Sequence, residues 1–127
     1  MCTKIELNEL LNKYSASVKD VFKNNLKAIV LYGSYARGDN DAESDIDILI
    51  LVDIDKLEIK KYHKQMVKIA SDLELEYDIV LAPIVENFSE FNKYKEASSF
   101  FKNVDREGVK ISAWPNKDRF IKIKPTI

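Results

Sequence analysis

The sequence predicts an α/β domain of the α+β kind, with a mixed sheet of about four strands and flanking helices. Three observations carry this. Apolar runs of strand length, at Ala28 to Tyr32, Ile46 to Val52 and Tyr77 to Val85, alternate with stretches of helical period. Only a dozen or so loop residues separate the first two runs, too few for a helical crossover, so these strands are expected to pair antiparallel. A chain of 127 residues, 46% hydrophobic and 32% charged, can bury one core of its own, and one domain over residues 1–127 is expected.

Each element has a local reason. Leu7, Leu10, Leu11, Tyr14, Val18, Val21 and Phe22 recur at three- and four-residue steps, the pattern of an amphipathic helix over roughly residues 5 to 24. Asn24-Asn25 ends it, and a strand follows that stops at Gly33. After the second strand, Asp53 or Asp55 is placed to cap a second helix, whose apolar face carries Leu57, Tyr62, Met66, Ile69 and Leu73 and which ends near Leu75. The third strand, Tyr77 to Val85, contains Asp78, and Pro83 weakens its pairing toward the end. Helical spacing returns at Phe88, Phe91 and Tyr94 and at Phe100, Phe101 and Val104. Gly108 suits a left-handed closing residue, with a short strand at 109–111 beyond it. The charged tail from about Pro115 is expected to be either mobile or docked on a partner.

Charge and composition exclude several functions. Twenty basic against twenty-one acidic residues leave a net charge of −1, without the broad basic footprint of a protein that grips nucleic acid by its phosphates. The lysines at 60, 61, 64 and 68, and the basic residues at 117, 119, 122 and 124, fit solvated faces. No apolar run approaches the roughly 20 residues that span a bilayer. The N-terminus lacks a secretory pattern, so a cytoplasmic location is expected. Cys2 and His63 receive no role.

The informative segment is residues 33–47, a Gly-Ser turn followed by a strand start with alternate carboxylates. Period two points Asp45 and Asp47 to one face and Ile46 and Ile48 to the other. Two carboxylates so close raise each other's pKa unless a cation lies between them. Magnesium suits the position, because it takes one or two carboxylates together with waters and phosphate oxygens. Gly33 lets backbone approach a phosphate, while the Ser34 hydroxyl and neighbouring amides can donate to its oxygens. Arg37 either adds a charge-assisted contact to a β- or γ-phosphate or makes a surface ion pair within its acidic loop. Asp78, in an apolar run, is either a third metal-binding carboxylate or a solvated or ion-paired residue at a strand start. Three carboxylates around two magnesium ions would form a site for in-line phosphoryl chemistry. No Gly-Lys-Ser/Thr follows the turn, which excludes a P-loop.

Gly33-Ser34, ten intervening residues, then Asp45-Ile46-Asp47 on a strand with a later Asp78, resembles the minimal nucleotidyltransferase (MNT) branch of the DNA polymerase β-like superfamily. The similarity extends over roughly residues 5 to 112. It implies the palm-like nucleotidyltransferase fold and transfer of a nucleoside monophosphate, usually AMP from ATP, to an acceptor hydroxyl. It also implies Asp45, Asp47 and Asp78 as catalytic, metal-binding carboxylates and Gly33 and Ser34 at the triphosphate. Many short members of that branch are similar to antitoxins that adenylylate a tyrosine of a helical HEPN toxin. Larger members carry an additional helical domain that this chain has no room for, which leaves a partner or a homo-oligomer to complete the site.

Alternatives remain at the level of sequence. The loop also fits plain turn chemistry with Asp45 and Asp47 solvated. The aromatic series from Phe88 to Phe101 fits a core or, where exposed, a partner-binding patch, and Trp114 is open in the same way. A module that neutralises a toxin by contact alone, and an enzyme acting on a small-molecule hydroxyl, stand beside the adenylylating antitoxin.

Overall fold

The computed structural model describes residues 3–111, so Cys2, Trp114 and the tail lie outside the described residues. The first helix, α1 (Lys4–Phe22), starts at a reciprocal cap in which the Glu6 amide donates to Thr3 Oγ1 and the Thr3 amide to Glu6 Oε1, both at 3.1 Å. Its predicted stripe is buried, with Leu10, Tyr14 and Val18 fully covered. Complete burial of a leucine such as Leu10 stabilises by about 1.5–3 kcal/mol. Lys23 takes a positive φ of 52°, and a 3₁₀ turn, Lys23–Asn25, leads into β1 (Leu26–Tyr32).

A single turn, α2 (Ser34–Arg37), and an irregular loop separate β1 from β2 (Ile46–Val52). These strands pair antiparallel, with Tyr32 opposite Asp47, as the short connection predicts. From β2 the chain crosses one face through α3 (Lys56–Ile59), a 3₁₀ turn (Lys60–Tyr62) and α4 (His63–Tyr77), returning as β3 (Leu81–Asn87), parallel to β2. Two further helices, α5 (Phe88–Tyr94) and α6 (Ser99–Glu107), cover the other face before β4 (Val109–Lys110) pairs antiparallel with β1. The result is a four-stranded mixed sheet in the order β3-β2-β1-β4.

Strand alternation sorts the core into two layers. Ile46, Ile48, Ile50 and Val52 pack with α1 and α4, while Leu49 and Leu51 pack with Val30, Tyr32, Phe91 and Val104 beneath α5 and α6. The second layer is aromatic, with Phe91 and Phe101 ring centres 5.1 Å apart.

Three elements differ from the sequence expectation. The second helix is broken at the 3₁₀ turn, leaving Leu57 77% exposed, off the apolar face. Its last part runs on to Tyr77, because Tyr77, one turn beyond Leu73, still packs against the core. The third strand therefore starts at Leu81, and Asp78 is the left-handed residue (φ 51°, ψ 53°) that stops α4, a conformation aspartate tolerates. Gly108 is extended (φ −68°) rather than left-handed; its lack of a side chain is needed for space, since a Cβ there would lie 2.5 Å from the Val104 carbonyl oxygen and 2.6 Å from Val30 Cγ1.

β3 is an outer strand. Pro83, which has no amide hydrogen, is accommodated on it, and the Leu81 amide donates to Glu74 Oε2 at 2.8 Å.

The buried Tyr14 hydroxyl finds no hydrogen-bond partner among the described residues, and burial pushes its pKa up. Tyr14→Phe removes that uncompensated group without opening a cavity. It is expected to leave stability unchanged or raise it by about 1 kcal/mol, measured by denaturant titration.

Candidate active site

The site is built where β1 ends and β2 begins. Gly33 turns the chain with φ 74° and ψ −156°, a combination essentially reserved for glycine. The Ala36 and Arg37 amides donate back to its carbonyl at 3.1 and 3.0 Å, closing the single turn of α2. The returning loop is organised by Asp41, which accepts from the Glu43 amide at 2.9 Å and from the Ser44 hydroxyl at 3.2 Å. Asp41 therefore acts as a turn residue, and Asp39 is taken by Arg37 at 3.0 Å. Asp45 and Asp47 remain at the mouth of the turn.

Asp45 is exposed immediately before β2, and Asp47 is half-buried on the α5–α6 side, opposite in direction to Ile46 and Ile48. The Asp47 carboxylate rests directly against Gly33: a Cβ at Gly33 would stand 2.2 Å from Asp47 Oδ2. Only glycine permits this approach. Burial raises the Asp47 pKa above its ordinary 3.8; Asp45 and Glu107 add to the rise, and Arg37 opposes it. Tyr32, paired with Asp47, is pushed up to about 12 by burial and by that carboxylate.

The direction of the Asp47 shift fixes a pH dependence. The folded chain holds this proton more tightly than the unfolded chain, so the group's contribution to stability falls as pH rises from 3.8 through the raised folded value. Asp47→Asn is expected to melt at a higher temperature than the parent at about pH 7 and at nearly the same temperature at about pH 3.5, where both side chains are neutral. Thermal melts at the two pH values check this.

Arg37 makes the ion pairs that the sequence left as one alternative, and one of its two partners was not foreseen. Besides Asp39, its guanidinium donates from Nη1 to Glu107 Oε1 and Oε2 at 3.2 and 3.1 Å, and Glu107 Oε1 also accepts from the Gly33 amide at 3.2 Å. Glu107 lies 70 residues beyond Arg37, at the last turn of α6. A faint local sign existed: a carboxylate at a helix C-terminus opposes the helix dipole and needs compensation elsewhere.

Asp78 is not gathered with Asp45 and Asp47. Across the parallel pair, the residue opposite Asp47 is Ala82, and Asp78 sits before β3 among Ser71, Glu74, Leu75, Ile79 and Val80. The apolar residues 79–80 extend the strand-like run in sequence, but the helix stop consumes position 78. Among the described residues, no three His, Cys, Asp or Glu side chains converge as a metal site. The turn thus brings Asp45 and Asp47 together, while Asp78 stands at the end of α4, ahead of β3.

A strand–turn–strand unit that presents two carboxylates beside a Gly-Ser turn, on a four-stranded mixed sheet, defines the class. The nucleotidyltransferase domain model matches residues 11–109, and the chain belongs to that family of enzymes. It is similar to the proposed protein adenylyltransferase MJ0141 of Methanocaldococcus jannaschii, 36% identical over 109 residues that make up 84% of this chain and 100% of that one. A second protein of that organism, MJ0604, also named as a proposed protein adenylyltransferase, is 39% identical over 98 residues, 77% of this chain and 90% of its own. Among solved structures, a proposed nucleotidyltransferase from Sulfolobus solfataricus shares the fold with TM-score 0.56 at 21% identity, over 94% of this chain and 90% of that chain. A mutant of the toxin–antitoxin complex MntA-HpeT shares it with TM-score 0.50 at 19% identity, over 80% and 71%. The resemblance drawn from Gly33, Ser34, Asp45 and Asp47 therefore holds at the level of family and fold.

Proposed function

We propose that this chain transfers AMP from ATP, with magnesium, to a tyrosine hydroxyl of a helical HEPN-type toxin, and so acts as its antitoxin. The observation that carries the reading is the Asp45–Asp47 pair at the start of the central strand, packed on the Gly33–Ser34 turn. The donor set suits magnesium: two adjacent carboxylates offer hard oxygens, and the burial and Asp45 charge that raise the Asp47 pKa are what a divalent cation would offset. Asp45 and Asp47 would hold it, and when bound it would neutralise phosphate charge during in-line transfer. The Ser34 hydroxyl, one residue past Gly33, would donate to a phosphate oxygen, and Arg37, paired with Asp39 and Glu107, would add a charge-assisted contact. In the reaction the acceptor oxygen forms a bond to the α-phosphorus, the bond to the β-phosphate bridging oxygen breaks, pyrophosphate leaves and the hydroxyl proton is lost.

A protein acceptor is supported from two sides. The similar proteins of M. jannaschii carry the name of protein adenylyltransferases, and one structure sharing the fold is a toxin–antitoxin complex. On this chain Phe100, 38% exposed, meets Tyr32 edge-on with ring centres 5.5 Å apart, which places accessible aromatic surface next to Asp47. A groove of about 750 Å³ lies between α4 and β3, lined by Met66, Ala70, Leu81 and Pro83, on the face away from the carboxylates. No helix among the described residues is long and apolar enough to cross a membrane.

The test mixes this chain, its genomic neighbour, magnesium and α-labelled ATP, and determines the mass of labelled protein. Label on the neighbour with a mass gain equal to AMP is expected. Tight complex formation without label would replace the enzymatic reading by neutralisation through contact, and neither label nor complex would direct attention to a small-molecule hydroxyl.

A further inference from the structure

We propose that Glu107 is a positioning residue for nucleotidyl transfer: its carboxylate fixes the Gly33 amide and the Arg37 guanidinium, and through Gly33 it sets the place of the Asp47 carboxylate. The inference rests on the site proposed above. Glu107 is 20% exposed at its side chain and makes three contacts of 3.1–3.2 Å, two to Arg37 and one to the Gly33 amide. Charge-assisted pairs of this kind fix geometry as well as adding energy. Gly33 has one amide hydrogen, and Glu107 takes it. Phosphate contacts at the turn therefore do not draw on the Gly33 amide, and Glu107 serves as the brace behind the turn.

The brace is connected to the chemistry by contact. Gly33 packs so closely on Asp47 Oδ2 that any shift of the turn moves that carboxylate. Arg37 is held from two sides, by Asp39 through Nε and by Glu107 through Nη1, so its orientation beside Asp47 is over-determined. Glu107 stands at the C-terminal end of α6, where the helix dipole disfavours a negative charge, so its compensation comes from the turn rather than from its own helix. The arrangement gives up favourable helix electrostatics and gains a rigid link from α6 to the carboxylate pair.

The experiment compares the parent chain, Glu107→Gln, Arg37→Gln and the double variant. Calorimetry measures binding of a non-hydrolysable ATP analogue with magnesium, AMP transfer gives kcat and KM, and thermal melts establish that each variant is folded at the assay temperature. Glu107→Gln is expected to lower kcat about tenfold to a hundredfold, the scale of a misplacement of about 1 Å. The double variant is expected to lose no more than the worse single one. Unchanged kcat and affinity in Glu107→Gln would overturn the proposal whatever Arg37→Gln does, as would tighter analogue binding by Glu107→Gln, which would make Glu107 a competitor of phosphate. If Glu107→Gln does not fold, Glu107→Asp, which keeps the charge and shortens the reach to Gly33 and Arg37, carries the same test, with lowered kcat supporting the brace and parental kcat and affinity removing it. Failure of the parent to bind any nucleoside triphosphate would overturn the proposed function itself, a result separable from any difference among variants.

Discussion

Replacing Asp45 and Asp47 together by asparagine is expected to cut nucleotide transfer to a residual level and to leave the fold standing. The two positions contribute little to the core: Asp45 is exposed, Asp47 is half-buried, and the apolar neighbours Ile46, Ile48 and Leu49 are untouched by the change. Asparagine keeps the shape of the side chain while removing the charges that a divalent cation requires. Charge stabilisation by a bound metal amounts to several kcal/mol in a phosphoryl transition state, and each 1.36 kcal/mol is tenfold in rate. A loss of about a thousandfold or more is therefore expected. The parent should melt at a higher temperature in magnesium than without it, and the double variant should not respond, because a ligand stabilises only the state that binds it. A folded double variant with parental turnover would remove the carboxylate pair from the mechanism.

Gly33→Ala is expected to lower both stability and activity, for two separable reasons. The backbone at φ 74° and ψ −156° costs any residue with a Cβ about 1–3 kcal/mol, a drop of several degrees in melting temperature for a domain of this size. The new methyl group also meets Asp47 Oδ2 at 2.2 Å, so either the turn or the carboxylate must move. Displacement of about 1 Å at a reacting centre costs about a hundredfold in rate. In an Asp47→Ala background the clash with the carboxylate is removed and only a tight 3.3 Å contact with the Cβ at position 47 and the backbone part remain, so the two substitutions should be non-additive in stability. Melts of the four proteins measure the coupling. Strict additivity would mean that Gly33 and Asp47 do not touch in solution.

The parts of the molecule that were legible in sequence are those with short-range causes. The α1 stripe from Leu7 to Phe22, the two apolar runs that flank the turn, and their antiparallel pairing all follow from period and loop length, and the structure has them. The Gly33–Ser34 turn and the paired aspartates were legible for the same reason, since their geometry is written within fifteen residues. The start of β3 was not, because Tyr77, Ile79 and Val80 extend an apolar run across a helix end, and the stop at Asp78 is a backbone event with no side-chain signature. Glu107 was out of reach for a different reason. Its partners Gly33 and Arg37 lie 74 and 70 residues away, and only the docking of α6 onto the sheet brings them together.

The guarded outer strand has a consequence for how this protein can be recognised. At the β3 border the Leu81 amide is already engaged by Glu74 and Pro83 has none to offer, and at the opposite border β4 spans only two residues among those described. A foreign polypeptide that tried to continue the sheet past the start of β3 would find no main-chain donor at Leu81 or Pro83. Recognition at the start of β3 is therefore weighted toward side chains, which favours particular partners over indiscriminate strand stacking there.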